Sequence, residues 1–148
     1  MLDSMSNNVI GQRRAVLTTL ALGLSTFLIL FDVTAVVVAM PAIATDVGLG
    51  VAGVAWVIDA YSLGFTGALL ASGALADRFG RRRCMLAGNA VFLAASVACG
   101  MASSESTLLA ARAVQGVGAA FMATGGIALV VISFPNVAQR TRAFGVMG

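Results

Sequence analysis

Apolar residues are gathered into four stretches, residues 15–40, 54–76, 84–101 and 108–134, separated by short polar segments. A helix crossing a bilayer needs about 20 consecutive apolar residues, with a range of about 17–25. All four stretches reach that length, the third near the short limit and the fourth with room for tilt or an interfacial turn. A fifth begins near residue 143. The pattern predicts an all-α membrane protein with four transmembrane helices plus the start of a fifth. Residues 1–14 precede the membrane domain, which occupies 15–148.

The polar segments give the crossings a direction. Arg13 and Arg14 precede the first span, Arg78, Arg81, Arg82 and Arg83 sit between the second and third, and Arg140 and Arg142 follow the fourth. The segments 41–53 and 102–107 contain no Lys or Arg, only Asp46 and Glu105. Basic residues concentrate in cytoplasmic segments, so the alternation predicts a multi-pass protein of the cell membrane with a cytoplasmic N-terminus. A cleaved signal peptide ending near Ala42-Ile43-Ala44 is the rival reading. The apolar run exceeds the roughly 7–15 residues of a signal core, and the alternation requires this span to remain.

Composition agrees with the pattern. Hydrophobic residues are 59% and charged residues 10% of the chain, against about half and a quarter in soluble domains. The net charge of +3 is no sign of nucleic acid, because eight of the nine arginines lie between apolar runs instead of lining one polar and aromatic face. Cys84 and Cys99 share one helix, about 22 Å apart at a rise of 1.5 Å per residue, beyond disulfide reach. There is no His, and no metal-ligand cluster or nucleophile–base pair that would suggest an enzyme.

Ionisable groups inside a span are costly and draw attention to function. Asp32 shares a face of the first helix with Thr18 and Ser25 at i, i+7 and i+14. It is open to two readings, a structural carboxyl hydrogen-bonded to neighbours or a proton- or substrate-handling group. Arg112, four residues into the fourth span, is followed by Gln115 and Gly116, a polar and small face suited to a bundle interior. Its depth is close enough to that of Asp32 for the two to pair, and this is favoured over snorkelling to the surface. Asp59, near Trp56 and Tyr61, is placed close to water, with the two aromatics in the interfacial belt. Gly64, Ala68 and Ala71, with Gly67 and Ala74, form a small-residue face on the second helix, and Gly116 and Ala120, with Gly125 and Gly126, do so on the fourth. Small residues let helices approach closely in lipid.

The second polar segment reads Gly73-Ala-Leu-Ala-Asp77-Arg78-Phe-Gly80-Arg81-Arg82-Arg83. It resembles the G-x-L-A-D-R-x-G-R-[RK]-[RK] loop of the major facilitator superfamily. Gly80 permits a tight turn with φ > 0. Asp77, a carboxylate at a helix C-terminus, opposes the macrodipole and calls for a cation or a helix N-terminus beside it. The resemblance implies that its partner lies in the second half of the transporter and that Gly73 lets that partner helix approach. Phe31-Asp32-Val33-Thr34 through Ala39-Met40-Pro41-Ala42-Ile43 resembles the first-helix pattern of the drug/proton antiporter branch. Leu109-Ala-Ala-Arg112-Ala-Val-Gln115-Gly116-Val-Gly118-Ala-Ala resembles its fourth-helix motif, whose Arg is associated with proton coupling. Trp56-Val-Ile-Asp59-Ala-Tyr61 resembles the second helix of the fourteen-helix antiporters.

The resemblance implies the N-terminal part of a major facilitator six-helix bundle, in full-length form a proton-coupled exporter. No cofactor is expected, the proton gradient being the energy source. The expected partners are the lipid bilayer, a lipophilic or cationic small molecule, and further C-terminal helices. Asp32, Arg112 and Gln115 are the coupling candidates, and Gly73, Asp77, Arg78, Gly80 and Arg81 the conformational loop. A truncated, transport-inactive fragment and, less well matched, a dimeric four-helix multidrug transporter are the alternatives.

Overall fold

A computed structural model describes residues 2–133, with side-chain surroundings within residues 20–125. Four helices follow one another: α1 (Leu2–Val47), α2 (Val51–Phe79), α3 (Arg81–Gly100) and α4 (Glu105–Ser133). All four are long and apolar enough to cross a membrane. Helices are the open-ended spanning solution in lipid, where every backbone N–H and C=O must be bonded within the segment. Large apolar side chains, among them Leu24, Phe27, Leu63, Leu70, Leu86 and Val97, face outward from the bundle. This is the exterior of a multi-pass membrane protein.

The helices outrun the apolar stretches. α1 continues through Pro41 to Val47, although Pro contributes no N–H at its position. The Thr45 hydroxyl donates to the carbonyl of Ala42 at 2.7 Å in this last turn. The helix stops only where Gly48 takes φ +73° and the Leu49 N–H donates back to the Ala44 carbonyl at 2.9 Å. That closure is the glycine-terminated pattern common at helix ends. The polar segment expected over 41–53 therefore shrinks to Gly48–Gly50. The segment expected over 77–83 shrinks to Gly80, whose φ is +96°, a value that favours a residue without Cβ. At the third turn the Thr107 N–H donates to the Ser104 hydroxyl oxygen at 3.4 Å, a serine cap, and Glu105 opens α4 where a negative charge suits the helix dipole. Phe134, the second arginine pair and the fifth stretch lie outside the described residues.

The chain runs back and forth, so the turns at 48–50 and 101–104 form one end of the bundle and Gly80 the other. These are the arginine-poor and arginine-rich ends. α4 is the central helix and packs extensively against both α2 and α3, which touch each other far less. On the α2 side Gly64 meets the backbone of Ala113, and Gly116 meets that of Tyr61. On the α3 side a Cβ added at Gly118 would lie 2.7 Å from the Phe92 backbone nitrogen. The packing face of α2 runs through Val57, Ala60, Tyr61, Ser72 and Ala76. Gly64 and Ala68 of the expected small-residue face belong to it, but Gly67, Ala71 and Ala74 point outward. The sequence reading placed that stripe partly on the wrong side because one helix turn has more small residues than one interface uses.

Two apolar clusters join the helices. Met40, Val57 and Leu108 form one near the arginine-poor end. Tyr61, Phe92, Ala119 and Met122, with Leu28, Ile29 and Phe65 against them, form the other at mid-bundle.

Candidate functional site

Toward the arginine-poor side of mid-bundle, α1, α2, α3 and α4 bring together the side chains of Asp32, Tyr61, Cys99, Arg112 and Gln115. Arg112 is 3% exposed, and its Nη1 donates to Asp32 Oδ2 and to Gln115 Oε1, each at 2.7 Å. Gln115 Nε2 donates to Asp32 Oδ1 at 2.6 Å. The Asp32 carboxylate thus engages both oxygens, one with a cation and one with an amide, the charge-assisted kind of hydrogen bond. Arg112 Nε also donates to the Val57 carbonyl at 3.4 Å, and the guanidinium carbon stands 4.6 Å from the centroid of the Tyr61 ring, within cation–π range. The Cys99 thiol donates to Gln115 Oε1 at 3.6 Å. Because Arg112 needs the amide oxygen and Asp32 its nitrogen, the orientation of Gln115 is fixed from two sides.

Helix geometry explains the convergence. Arg112 and Gln115 are one turn apart on α4 and so share a face, directed at α1. The side chains of long residues lean toward the N-terminus of their helix, which carries Arg112 toward the arginine-poor end. A cavity of about 440 Å³ opens there, with Asp32, Asp46 and Arg112 among apolar residues such as Phe31, Val36 and Phe92 in its wall. Its volume lies within the roughly 300–1,000 Å³ of small-molecule sites.

The Major Facilitator Superfamily model matches residues 22–148. The chain belongs to that superfamily. Multidrug resistance protein Stp of Mycobacterium tuberculosis (strain CDC 1551 / Oshkosh) is 40% identical to it over 134 residues, 90% of this chain and 25% of the relative. Cephamycin export protein CmcT of Amycolatopsis lactamdurans is 42% identical over 120 residues, 81% of this chain and 25% of the relative. Drug efflux pump JefA of Mycobacterium tuberculosis (strain CDC 1551 / Oshkosh) is 39% identical over 127 residues, 86% of this chain and 25% of the relative. The chain spans about a quarter of the length of these relatives, one of which is named for multidrug resistance and two for export or efflux.

The superfamily loop sits apart from the network, at the arginine-rich end. Asp77 at the close of α2 pairs with Arg81 at the start of α3, N···O 3.0 Å, and α3 begins beside it. The cation that the carboxylate calls for therefore comes from within the loop. Arg78 lies over the ring of Phe79, 5.4 Å from its centroid. Gly73 has nothing within 4 Å of a Cβ added to it, so no described segment makes the close approach expected there. Gly116 and Ala120 are both buried against neighbours.

Asp59 is exposed two turns into α2, and Trp56 beside it is half exposed. Tyr61 departs from the expectation. Instead of joining an interfacial belt it lies inside the bundle, because it falls on the same α2 face as Val57 and Gly64. Thr18, grouped with Ser25 and Asp32 by spacing, lies outside the described side chains. Ser25 is buried, and its hydroxyl stands 2.9 Å from the Ala21 carbonyl and 3.1 Å from Asn89 Oδ1, with one proton to donate between them, while Asn89 Nδ2 donates to the Met85 carbonyl at 2.9 Å. Sequence reading passed over Asn89, although an amide alone in the middle of α3 was the available signal. It also passed over the Thr124 hydroxyl, which donates to Ser72 Oγ at 3.0 Å across α4 and α2.

Proposed function

We propose that this chain forms the N-terminal part of a proton-coupled exporter of lipophilic or cationic compounds, placed in the cell membrane with the arginine-rich end toward the cytoplasm. In this reading Asp32 handles the proton, Arg112 and Gln115 hold its carboxylate, and the cavity beside them receives part of the substrate. The supporting observation is the Asp32–Arg112 ion pair, buried at 2.7 Å and set in a cavity wall.

The pair offers a coupling mechanism. The ionised carboxylate ties α1 to α4 through Arg112 Nη1 and Gln115 Nε2. A proton on Asp32 removes the charge that makes both bonds strong and leaves Arg112 with Gln115, the Val57 carbonyl and the Tyr61 ring. Proton occupancy thereby sets how firmly α1 is held. A ligand shifts such an equilibrium only through different interactions with its two states, and loss of an ion pair is such a difference. Asp32 and Asp46 outnumber Arg112 among charges of the cavity wall, which favours a cationic guest. Further helices would supply the opposite wall, and the loop of Gly73, Asp77, Arg78, Gly80 and Arg81 would meet them.

The test is efflux of a lipophilic cation from liposomes carrying a pH gradient, with the complete transporter and with this chain alone. Gradient-driven efflux by the complete protein that Asp32→Asn abolishes supports the reading. Undiminished gradient-driven efflux by Asp32→Asn refutes it. Efflux by the complete protein but not by this chain assigns the chain the role of a part that cannot transport by itself.

A further inference from the structure

Tyr61 is about nine-tenths buried, and among the described residues its hydroxyl is the buried side-chain polar atom without a hydrogen-bond partner. Leaving a buried hydroxyl unpaired is costly, and nothing in the packing of α2 requires one. Phenylalanine would supply the same ring to Arg112 and the same surface to Phe92 and Met122. The hydroxyl therefore points to a partner other than the protein.

Its place in the bundle identifies the partner. Tyr61 belongs to the cluster that contains Phe92, Ala119 and Met122, with Leu28 against it. On α1, Leu28 lies between Asp32 and Ser25, and on α3, Phe92 lies between Ser96 and Asn89. Tyr61 thus stands at a level between the Asp32–Arg112–Gln115 network and the Ser25–Asn89 pair. Asp32 and Ser25 are separated by seven residues, about 10 Å along the axis. No single hydrogen bond spans that gap, whereas four of about 2.8 Å each cover about 11 Å. A water on either side of the Tyr61 hydroxyl makes those four bonds.

The end groups suit such waters. Ser25 keeps acceptor lone pairs while its one proton is donated, and Asn89 Nδ2 has a second hydrogen beyond the one given to Met85. Leu28 and Phe92 also line the 440 Å³ cavity, so the cavity reaches the residues that surround Tyr61 and gives water an entry. A buried water needs two to four polar partners, and here each has a side-chain group at both ends.

We propose that Tyr61 is a hydration site, holding water that joins Asp32 to the Ser25–Asn89 pair toward the arginine-rich end. Resting on the proton-handling reading of Asp32, it supplies a hydrogen-bonded route leading away from that carboxyl, with the Tyr61 ring positioning Arg112 and its hydroxyl positioning the water.

Tyr61 and Trp56 are the single tyrosine and tryptophan of the chain, so selective labelling gives one signal from each. The experiment is water-edited solid-state NMR of the full chain in lipid bilayers, with labelled tyrosine and tryptophan. Magnetisation is expected to reach Tyr61 from water as quickly as it reaches half-exposed Trp56. A Tyr61 signal that stays dark at mixing times where Trp56 has reached its plateau overturns the hydration site. Ser25→Ala is expected to slow transfer to Tyr61 about twofold while leaving Trp56 unchanged, since it removes one of a water's roughly three partners. An unchanged rate at Tyr61 overturns the link to Ser25. No gradient or transport enters this measurement, so a dry Tyr61 refutes the route and leaves the role of Asp32 to the efflux assay.

Discussion

Replacing Asp32 by leucine strips the guanidinium of Arg112 of its anion while keeping it 3% exposed. What remains is Gln115 Oε1 at 2.7 Å, the Val57 carbonyl at a weak 3.4 Å and the ring of Tyr61. The amide nitrogen of Gln115 loses its acceptor as well. Removing one partner of a buried pair costs about 3–5 kcal/mol in soluble proteins, while polar contacts between membrane helices average about 0.6 and reach about 1.7 kcal/mol. The Asp32 side chain is 12% exposed and borders a cavity, so water softens the loss. Two hydrogen bonds, one of them ionic, place Asp32→Leu at about 2–3 kcal/mol, between those limits. Asp32→Asn keeps one acceptor oxygen and turns its amide nitrogen toward the second donor, and should cost about 1–2 kcal/mol. The assay is denaturation of the chain in mild detergent by added SDS, followed by helicity, for Asp32→Leu, Arg112→Leu and the double variant. Removing both charges should cost less than the two single losses together, with a coupling of about 1–2 kcal/mol. Additivity within about 0.5 kcal/mol would show that the two groups do not stabilise one another, and the coupling mechanism would fall with it.

Glycine positions give sharper contrasts by the same assay. Gly116→Ala drives a methyl into the Tyr61 backbone and should destabilise by about 1–3 kcal/mol, whereas Gly67→Ala, with open space around it, should be neutral or gain up to about 1 kcal/mol of helix propensity. Equal effects of the two would contradict the packing of α4 on α2. Gly80→Ala puts a Cβ on a residue with φ +96° and should cost about 1–2 kcal/mol; a stable variant would show that the α2–α3 turn tolerates another conformation. Arg81→Ala removes a pair whose side chains are 36% and 68% exposed, so its cost should stay below about 1 kcal/mol and vanish in high salt, and a larger, salt-insensitive loss would contradict the exposed geometry.

The crossings were legible in the sequence because a bilayer demands long apolar runs. The helix ends were not, because a helix can leave the hydrocarbon and continue. Thr45 and Asp46 are polar yet helical, and only the backbone angle at Gly48 stops α1. The meeting of Asp32 with Arg112 was approachable from depth alone, since two groups at similar levels on small-faced helices have few other places to go. Tyr61 was misplaced for the complementary reason. Its distance from the helix start fits an aromatic belt, but azimuth decides its surroundings, and azimuth is set by which side of α2 meets α4. Trp56 and Asp59, close in sequence, fall on the other side. Ser25 and Asn89 are 64 residues apart, and no local pattern joins them.

The central position of α4 has a consequence for biogenesis. Arg112 enters the chain 80 residues after Asp32, and synthesis at about 5–20 residues per second separates them by roughly 4–16 s. Thr124 likewise follows Ser72 by 52 residues. During that interval α2 and α3 are made without the helix that both pack against. Asp32 then resides beside lipid or the insertion machinery with no guanidinium to meet it. The ion pair that ties α1 to α4 is thus a late event of assembly, timed by the arrival of the last helix.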